Sequence, residues 1–249
     1  MNRTNVQIVG AGPGAADLLT VRALCAIQHA DVILYDRLVT AEILALANPS
    51  AEFVYAGKVE GQQEAVQQEI FRQLEALAAS GKRVVRLKGG DPFVYGRGAE
   101  EAQYLADRGF GVEVIPGVSS AIGVPASAGI PVTYRGIASS FTVVTGHQRA
   151  ENPVDWSRFA RVETLIILMG VQMRREIAQA LIDAGRPADE PVAFVENGST
   201  ERQNVIETTL RRVADGEVQV SAPAVFIAGE VVRLRAGLQQ AIASAEECA

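Results

Sequence analysis

The chain has 249 residues, 48% of them hydrophobic and 21% charged, with a formal net charge of −6. That length suits one large or two medium domains with a sizeable core, and the acidic balance argues against nucleic-acid binding through a basic face. No apolar run reaches membrane-spanning length, and two histidines and two cysteines without a CxxC pair argue against a histidine- or cysteine-built metal site.

The opening MNRTNVQIVG runs straight into a strand and leaves no room for a signal peptide, so the expected location is the reducing cytoplasm. Residues 6–10 (VQIVG) form this strand, GAGPG follows, and Asp17 is the expected cap of a helix carrying Leu18, Leu19, Leu24 and Ile27. A second strand, DVILYD, ends at Asp36, and a third, EFVYAG, ends at Gly57 and Lys58. A helix is expected over roughly 63–80, then the strand VVRLK running into Gly89, Gly90, Asp91 and Pro92, a helix over roughly 99–108, and the strand VEVIPG. Short β-to-α connections of this kind fit a doubly wound parallel sheet. Pro116, Pro125 and Pro131 punctuate a stretch of small residues that reads as a packed helix and an inter-domain connection, so the expected domains are 1–134 and 135–249. Beyond it FTVVTGH, TLIILMG, PVAFVENG and APAVFIAGE read as strands, with helices near 172–184, 207–215 and 232–246. The fold class is α/β.

VVRLKGGDPFVYGRG is the most informative stretch. Gly89 and Gly90 lack a Cβ and let a ligand approach the main chain, Asp91 accepts hydrogen bonds, and strand ends in α/β sheets are where ligands bind. A plain turn accounts for the same four residues. GAGPG satisfies the loose dinucleotide pattern G-x-G-x-x-A with Ala15 last, yet Pro13 removes a donor where a pyrophosphate wants one, and the loop serves equally as a strand-to-helix turn. A nicotinamide-dependent oxidoreductase is therefore the competing reading from a different class. Asp36 and Arg37 belong to the same sheet edge as Gly12, Lys58 and Asp91. Asp36 and Lys58 can divide proton acceptance and donation or simply pair. Arg97 and Glu100, three apart at a helix start, share one face and form a surface ion pair in the bland reading. Arg135 is a further arginine able to bind carboxylates bidentately. Met169 reads first as core filler, and His147 receives no catalytic role.

Taken in order, VGAGPG, DVILYDRLV, RVVRLKGGDPFVYGRGAEE, VIPGVSSA, AGIPVTYRG, VTGH, LIILMG and VAFVENGST resemble the uroporphyrinogen-III C-methyltransferases of the tetrapyrrole methylase superfamily, over nearly the whole chain. The resemblance implies two α/β domains of the class III methyltransferase fold, with S-adenosyl-L-methionine in the cleft between them, and a homodimer. It assigns the cofactor to Pro13, Gly89, Gly90, Asp91, Val94, Ser119, Ser120, Met169 and Gly198. It assigns the tetrapyrrole to Asp36, Lys58, Arg97, Glu100 and Arg135, joined by Arg37 from its place at the strand end. The implied reaction methylates uroporphyrinogen III at C2 and C7, giving precorrin-2 and S-adenosyl-L-homocysteine for a sirohaem, cobalamin or haem d1 route, without a metal. Arg97 is the first candidate for catalysis, with Asp36 and Lys58 handling protons. A methylase acting on a later corrin precursor is the nearest alternative. The chain departs from the family at Val59, Gln63, Val66, Ala99, Ser127 and Tyr134, while Gln67 and Arg135 fit.

Overall fold

A computed structural model describes residues 5–56, 63–147 and 153–246. The chain divides into two compact units, Met1–Ser119 and Ser120–Ala249. In the first, strands β1 (Val6–Gly10), β2 (Val32–Tyr35), β3 (Glu52–Tyr55), β4 (Val84–Lys88) and β5 (Val112–Ile115) form one sheet in the order β3-β2-β4-β1-β5. Every pairing in it is parallel. Parallel neighbours need crossovers, and right-handed crossovers send successive helices to opposite faces when the direction of travel reverses. Helices α1 (Val21–His29) and α2 (Ala41–Ala45) accordingly share a core with Val9, Ile33, Val85, Leu87 and Ile115. Helices α3 (Gln63–Ala79) and α4 (Gly98–Ala106) cover the other face, where Ile70, Leu74 and Leu105 meet Val6, Leu34 and Val84.

Asp17 falls in a short 3-10 turn, and α1 is capped instead by Thr20, whose Oγ1 accepts the Ala23 N–H at 3.1 Å.

The second unit contains α5 (Ser120–Ser127), β6 (Phe141–Thr145), β7 (Thr164–Leu168), α6 (Arg174–Asp183), β8 (Pro191–Glu196), β9 (Asn204–Thr209), α7 (Leu210–Ala214), β10 (Ala224–Ala228) and α8 (Arg235–Glu246). Its sheet runs β6-β7-β10-β8-β9 and is mixed, with β6 parallel to β7 and the remaining pairs antiparallel. The division between the units falls after Ser119, ahead of the 134/135 boundary expected from the prolines. The reason is burial: Ala121, Val124, Ala128, Ile130 and Ala138 share a core with Ile166, Val195 and Ile227 of the second sheet, so the small-residue stretch is part of that unit. Strand β9 occupies ground that the periodicity assigns partly to a helix over 207–215. Val205, Ile206, Thr208 and Thr209 are β-branched, and Thr209 both ends the strand and caps α7 through Oγ1 and the Arg212 N–H, so strand and helix meet without a loop.

Candidate active site

The strands of the first sheet all end on one edge, and the loops that follow them are stitched together. Chain travel reverses between β4 and β1, which makes this edge the topological switch point where α/β sheets place ligands. Ala11 N–H donates to the Lys88 carbonyl at 2.7 Å, and Gly12 and Gly90 exchange bonds of 3.2 and 2.7 Å in an antiparallel bridge, so the GAGPG and GGDP loops stay paired beyond the parallel ladder of β1 and β4. Thr40 donates its hydroxyl to the Gly14 carbonyl at 3.0 Å. A Cβ on Gly89 would lie 2.7 Å from Leu38 Cβ, one on Gly10 2.5 Å from the Gly117 nitrogen, and one on Gly117 2.4 Å from the Gly90 oxygen. Gly10 and Gly117 are required by close approach of main chain, and Gly89 by the Leu38 side chain packed against it. Asp91 completes the seam: Oδ2 accepts the Gly117 N–H at 3.1 Å and Oδ1 the Phe93 N–H at 2.9 Å. Its carboxylate therefore braces the loops after β4 and β5, and each oxygen keeps a second lone pair for a ligand.

Pro13, Gly89, Gly90, Asp91, Val94 and Ser119 all belong to this loop set. Asp36 stands one residue beyond β2, half-buried, with Oδ1 accepting the Leu38 N–H at 3.1 Å and Oδ2 3.9 Å from Nη2 of Arg86. Arg37 beside it is exposed. Lys58 lies outside the described residues, as do Gly57 and Val59. Arg97 occupies the N-cap of α4 in the left-handed region, φ 59°, and its guanidinium grips Glu100, with Nε at 3.1 and 3.0 Å from the two oxygens and Nη2 at 2.6 Å. The ion pair is formed, and it fixes the guanidinium at the mouth of the loop.

In the second unit, Ser120 begins α5, and Arg135 is exposed in a turn where the Tyr134 and Ala138 main chains exchange bonds of 2.9 Å. Met169 follows β7 with φ 56° and is 53% exposed, so it is not the core filler its residue type favours. Gly198 packs on α5, where a Cβ would lie 2.3 Å from Val124 Cγ1. Among the described residues the non-glycine positions with positive φ are Tyr95, Arg97, Met169, Asn197 and Ser199. All stand in loops after β4, β7 and β8, and such backbone costs about 1–3 kcal/mol each and collects at functional sites.

Sequence reasoning passes over a buried ionic cluster beneath this edge. Glu101 of α4 is fully buried and accepts from Lys88 Nζ at 2.8 Å, with Arg86 Nε 3.3 Å from its second oxygen and Gln67 Nε2 3.5 Å from the first. Burial, and then the neighbouring Arg86 charge, push the Lys88 ammonium below its ordinary pKa, while Glu101 and Asp36 pull it back up. A readable signal exists: a strand buried on both faces should be continuously apolar, yet VVRLK carries cations at alternate positions, hence on one face.

A glycine-rich switch-point edge bordered by carboxylate and guanidinium groups is where enzymes of the α/β class bind small molecules. The chain belongs to the tetrapyrrole (corrin/porphyrin) methylases, whose family pattern matches residues 5–214. It is 46% identical over 236 residues to siroheme synthase of Edwardsiella ictaluri, covering 94% of this chain and 51% of that protein. The chain thus spans about half the length of the curated relatives it matches. Uroporphyrin-III C-methyltransferase of Thermus thermophilus in its native form superposes with a TM-score of 0.83 at 47% identity, covering 92% of this chain and 99% of that one. The same enzyme complexed with S-adenyl homocysteine gives 0.83 at 45% identity, covering 92% and 94%. A cobalt precorrin-4 methyltransferase gives 0.74 at 27%, covering 91% and 95%.

Proposed function

We propose that the chain transfers methyl groups from S-adenosyl-L-methionine to C2 and C7 of uroporphyrinogen III, giving precorrin-2 and releasing S-adenosyl-L-homocysteine for each methyl moved. The observation that carries this reading is near-complete coverage of a uroporphyrin-III C-methyltransferase at 47% identity, with the glycine-lined loops present in this chain. At Gly10, Gly89 and Gly117 a Cβ would collide with neighbouring loops, so the strand-end loops form one close-packed edge, and Asp91 within it keeps lone pairs that can accept hydrogen bonds from the cofactor. Pro13, the Gly89–Asp91 loop, Val94, Ser119, Ser120, Met169 and Gly198 are the residues assigned to hold it.

When bound, S-adenosylmethionine supplies an activated sulfonium methyl whose departure leaves the bonding pair on sulfur as a thioether. The protein's part is positioning and proton control. Arg97, already held in one direction by Glu100, orients a substrate carboxylate, and Arg37 and Arg135 are exposed guanidiniums for others. A reduced pyrrole that gains a methyl on carbon must release a proton. In this reading Asp36, half-buried at the same edge, accepts it, with Lys58 as the second proton-handling group. The resemblance further supports a homodimer, and the reducing cytoplasm is the location expected from the cysteine usage. Among the described residues no helix is long and apolar enough to cross a membrane.

Turnover of freshly reduced uroporphyrinogen III tests the reading. Methylation only of a later corrin precursor would favour the alternative acceptor. Binding of NAD(P)H without S-adenosylhomocysteine would favour the oxidoreductase.

A further inference from the structure

We infer that Glu101 is a positioning residue that acts through Arg86 to hold Asp36 at the sheet edge, an inference that rests on the reading of Asp36 as the proton acceptor. The argument is one of charge. Arg86 and Lys88 project from the same face of β4 and are 2% and 4% exposed, so two cations are taken out of water within one cluster. Glu101, 0% exposed, offers them a single negative charge. Buried cations require compensation, and a shortfall is made up by the next carboxylate within reach. Among the described residues, the carboxylates paired with these two cations are Glu101 and Asp36, and Asp36 Oδ2 stands 3.9 Å from Arg86 Nη2. That distance is an ion pair without a hydrogen bond, which attracts the carboxylate yet leaves its oxygens available at the surface.

Arg86 is kept at this distance by its other bonds. Nε and Nη2 turn to Glu101 at 3.4 Å, and Nη1 donates to the Leu34 and Leu87 carbonyls at 3.4 and 3.2 Å. Glu101 itself is fixed from three elements, by Lys88 and Arg86 of β4, by Gln67 of α3 and by its own place in α4. Among the described residues, removing its charge leaves Asp36 as the carboxylate facing the two cations. Arg86 then swings to Asp36, draws the carboxylate inward and takes up the oxygens that the reaction needs. Lys88 has the opposite leverage: without its ammonium, Glu101 belongs wholly to Arg86, and the pull on Asp36 weakens.

The test is a crystal structure of Glu101→Gln together with a kinetic cycle on Glu101 and Asp36. The structure is expected to show Arg86 within hydrogen-bond distance of an Asp36 oxygen. An unmoved Arg86 and Asp36 would overturn the inference whether or not the protein methylates uroporphyrinogen III. In turnover, Glu101→Gln is expected to lower kcat roughly tenfold or more with S-adenosylhomocysteine affinity unchanged, because small misplacements of a reacting group are costly. The double variant Asp36→Ala/Glu101→Gln is expected to be no slower than Asp36→Ala, whereas multiplied losses would show that Glu101 acts independently and overturn the inference. Lys88→Met is the companion variant, expected to keep the Arg86–Asp36 separation at or beyond its present value. Failure of Glu101→Gln and Lys88→Met alike to fold would overturn the positioning role and make the cluster purely structural. A wild-type protein without methyltransferase activity contradicts the proposed function, and in that case the crystal structure alone decides this inference.

Discussion

Arg97, proposed to orient a substrate carboxylate, is held in place by its own helix. Its left-handed φ of 59° lifts it out of α4, and the bidentate grip of Glu100 removes most of its side-chain freedom. Arg97→Ala is therefore expected to lower kcat/KM for uroporphyrinogen III about a hundredfold while leaving S-adenosylhomocysteine binding intact by calorimetry. Equal turnover in variant and wild type would remove Arg97 from the reaction. A second single-residue expectation concerns stability. The Asp31 carboxyl is held down from 3.8 to about 2, first by the Arg83 guanidinium and then by the Arg83 N–H. A depressed carboxylate stabilises the fold above its unfolded value and loses that contribution as pH falls through its folded value. Melting temperatures of wild type and Asp31→Asn should differ near pH 7 and converge as pH falls from about 4 to about 2. A gap constant across that range would contradict the assignment. The sequence marks Asp36 and Asp91 by their places at strand ends and Arg97 by its place at a helix start. It does not reveal that Asp91 braces Gly117, because that bond joins residues far apart in the chain.

At the level of elements, the first sheet is legible because parallel strands buried on both faces announce themselves as short apolar runs with Gly or Asp at their ends. What periodicity misses is set by tertiary contacts. The helix α2 is a five-residue turn after Thr40, too short to show a period. The edge strand β9 abuts its helix through Thr209, so no turn signal separates them. The domain boundary follows the burial of α5 rather than the prolines that punctuate it. Thr20→Ala should lower stability by about 1 kcal/mol in denaturant unfolding, since it removes the observed cap of α1, whereas Asp17→Ala should cost far less. The seam between strand-end loops is more demanding. In Gly117→Ala a Cβ would meet backbone on two sides, at 2.4 Å from the Gly90 oxygen and 2.8 Å from Gly10. The expected loss is at least about 2 kcal/mol of stability together with S-adenosylhomocysteine binding. A stable Gly117→Ala variant with unchanged binding would refute the close-packed seam.

Across the whole molecule, the two units solve different problems with similar inventories. The parallel sheet gathers its loops at one edge, and the mixed sheet encloses a core on each face with strained residues at the ends of β7 and β8. A net charge of −6 is no obstacle to the proposed carboxylate-rich substrate, because binding depends on the local field, and Arg37, Arg97 and Arg135 are the guanidiniums proposed to supply it. The strand-end loops are legible from their glycines, while the cluster of Arg86, Lys88 and Glu101 becomes meaningful only once α4 is packed over β4. The most direct measurement is incubation of the purified protein with S-adenosylmethionine and freshly prepared uroporphyrinogen III, followed by mass analysis of the tetrapyrrole and quantitation of S-adenosylhomocysteine. The account predicts the dimethylated macrocycle precorrin-2, with one S-adenosylhomocysteine released per methyl gained; an unmethylated macrocycle recovered from protein that binds S-adenosylhomocysteine would contradict it.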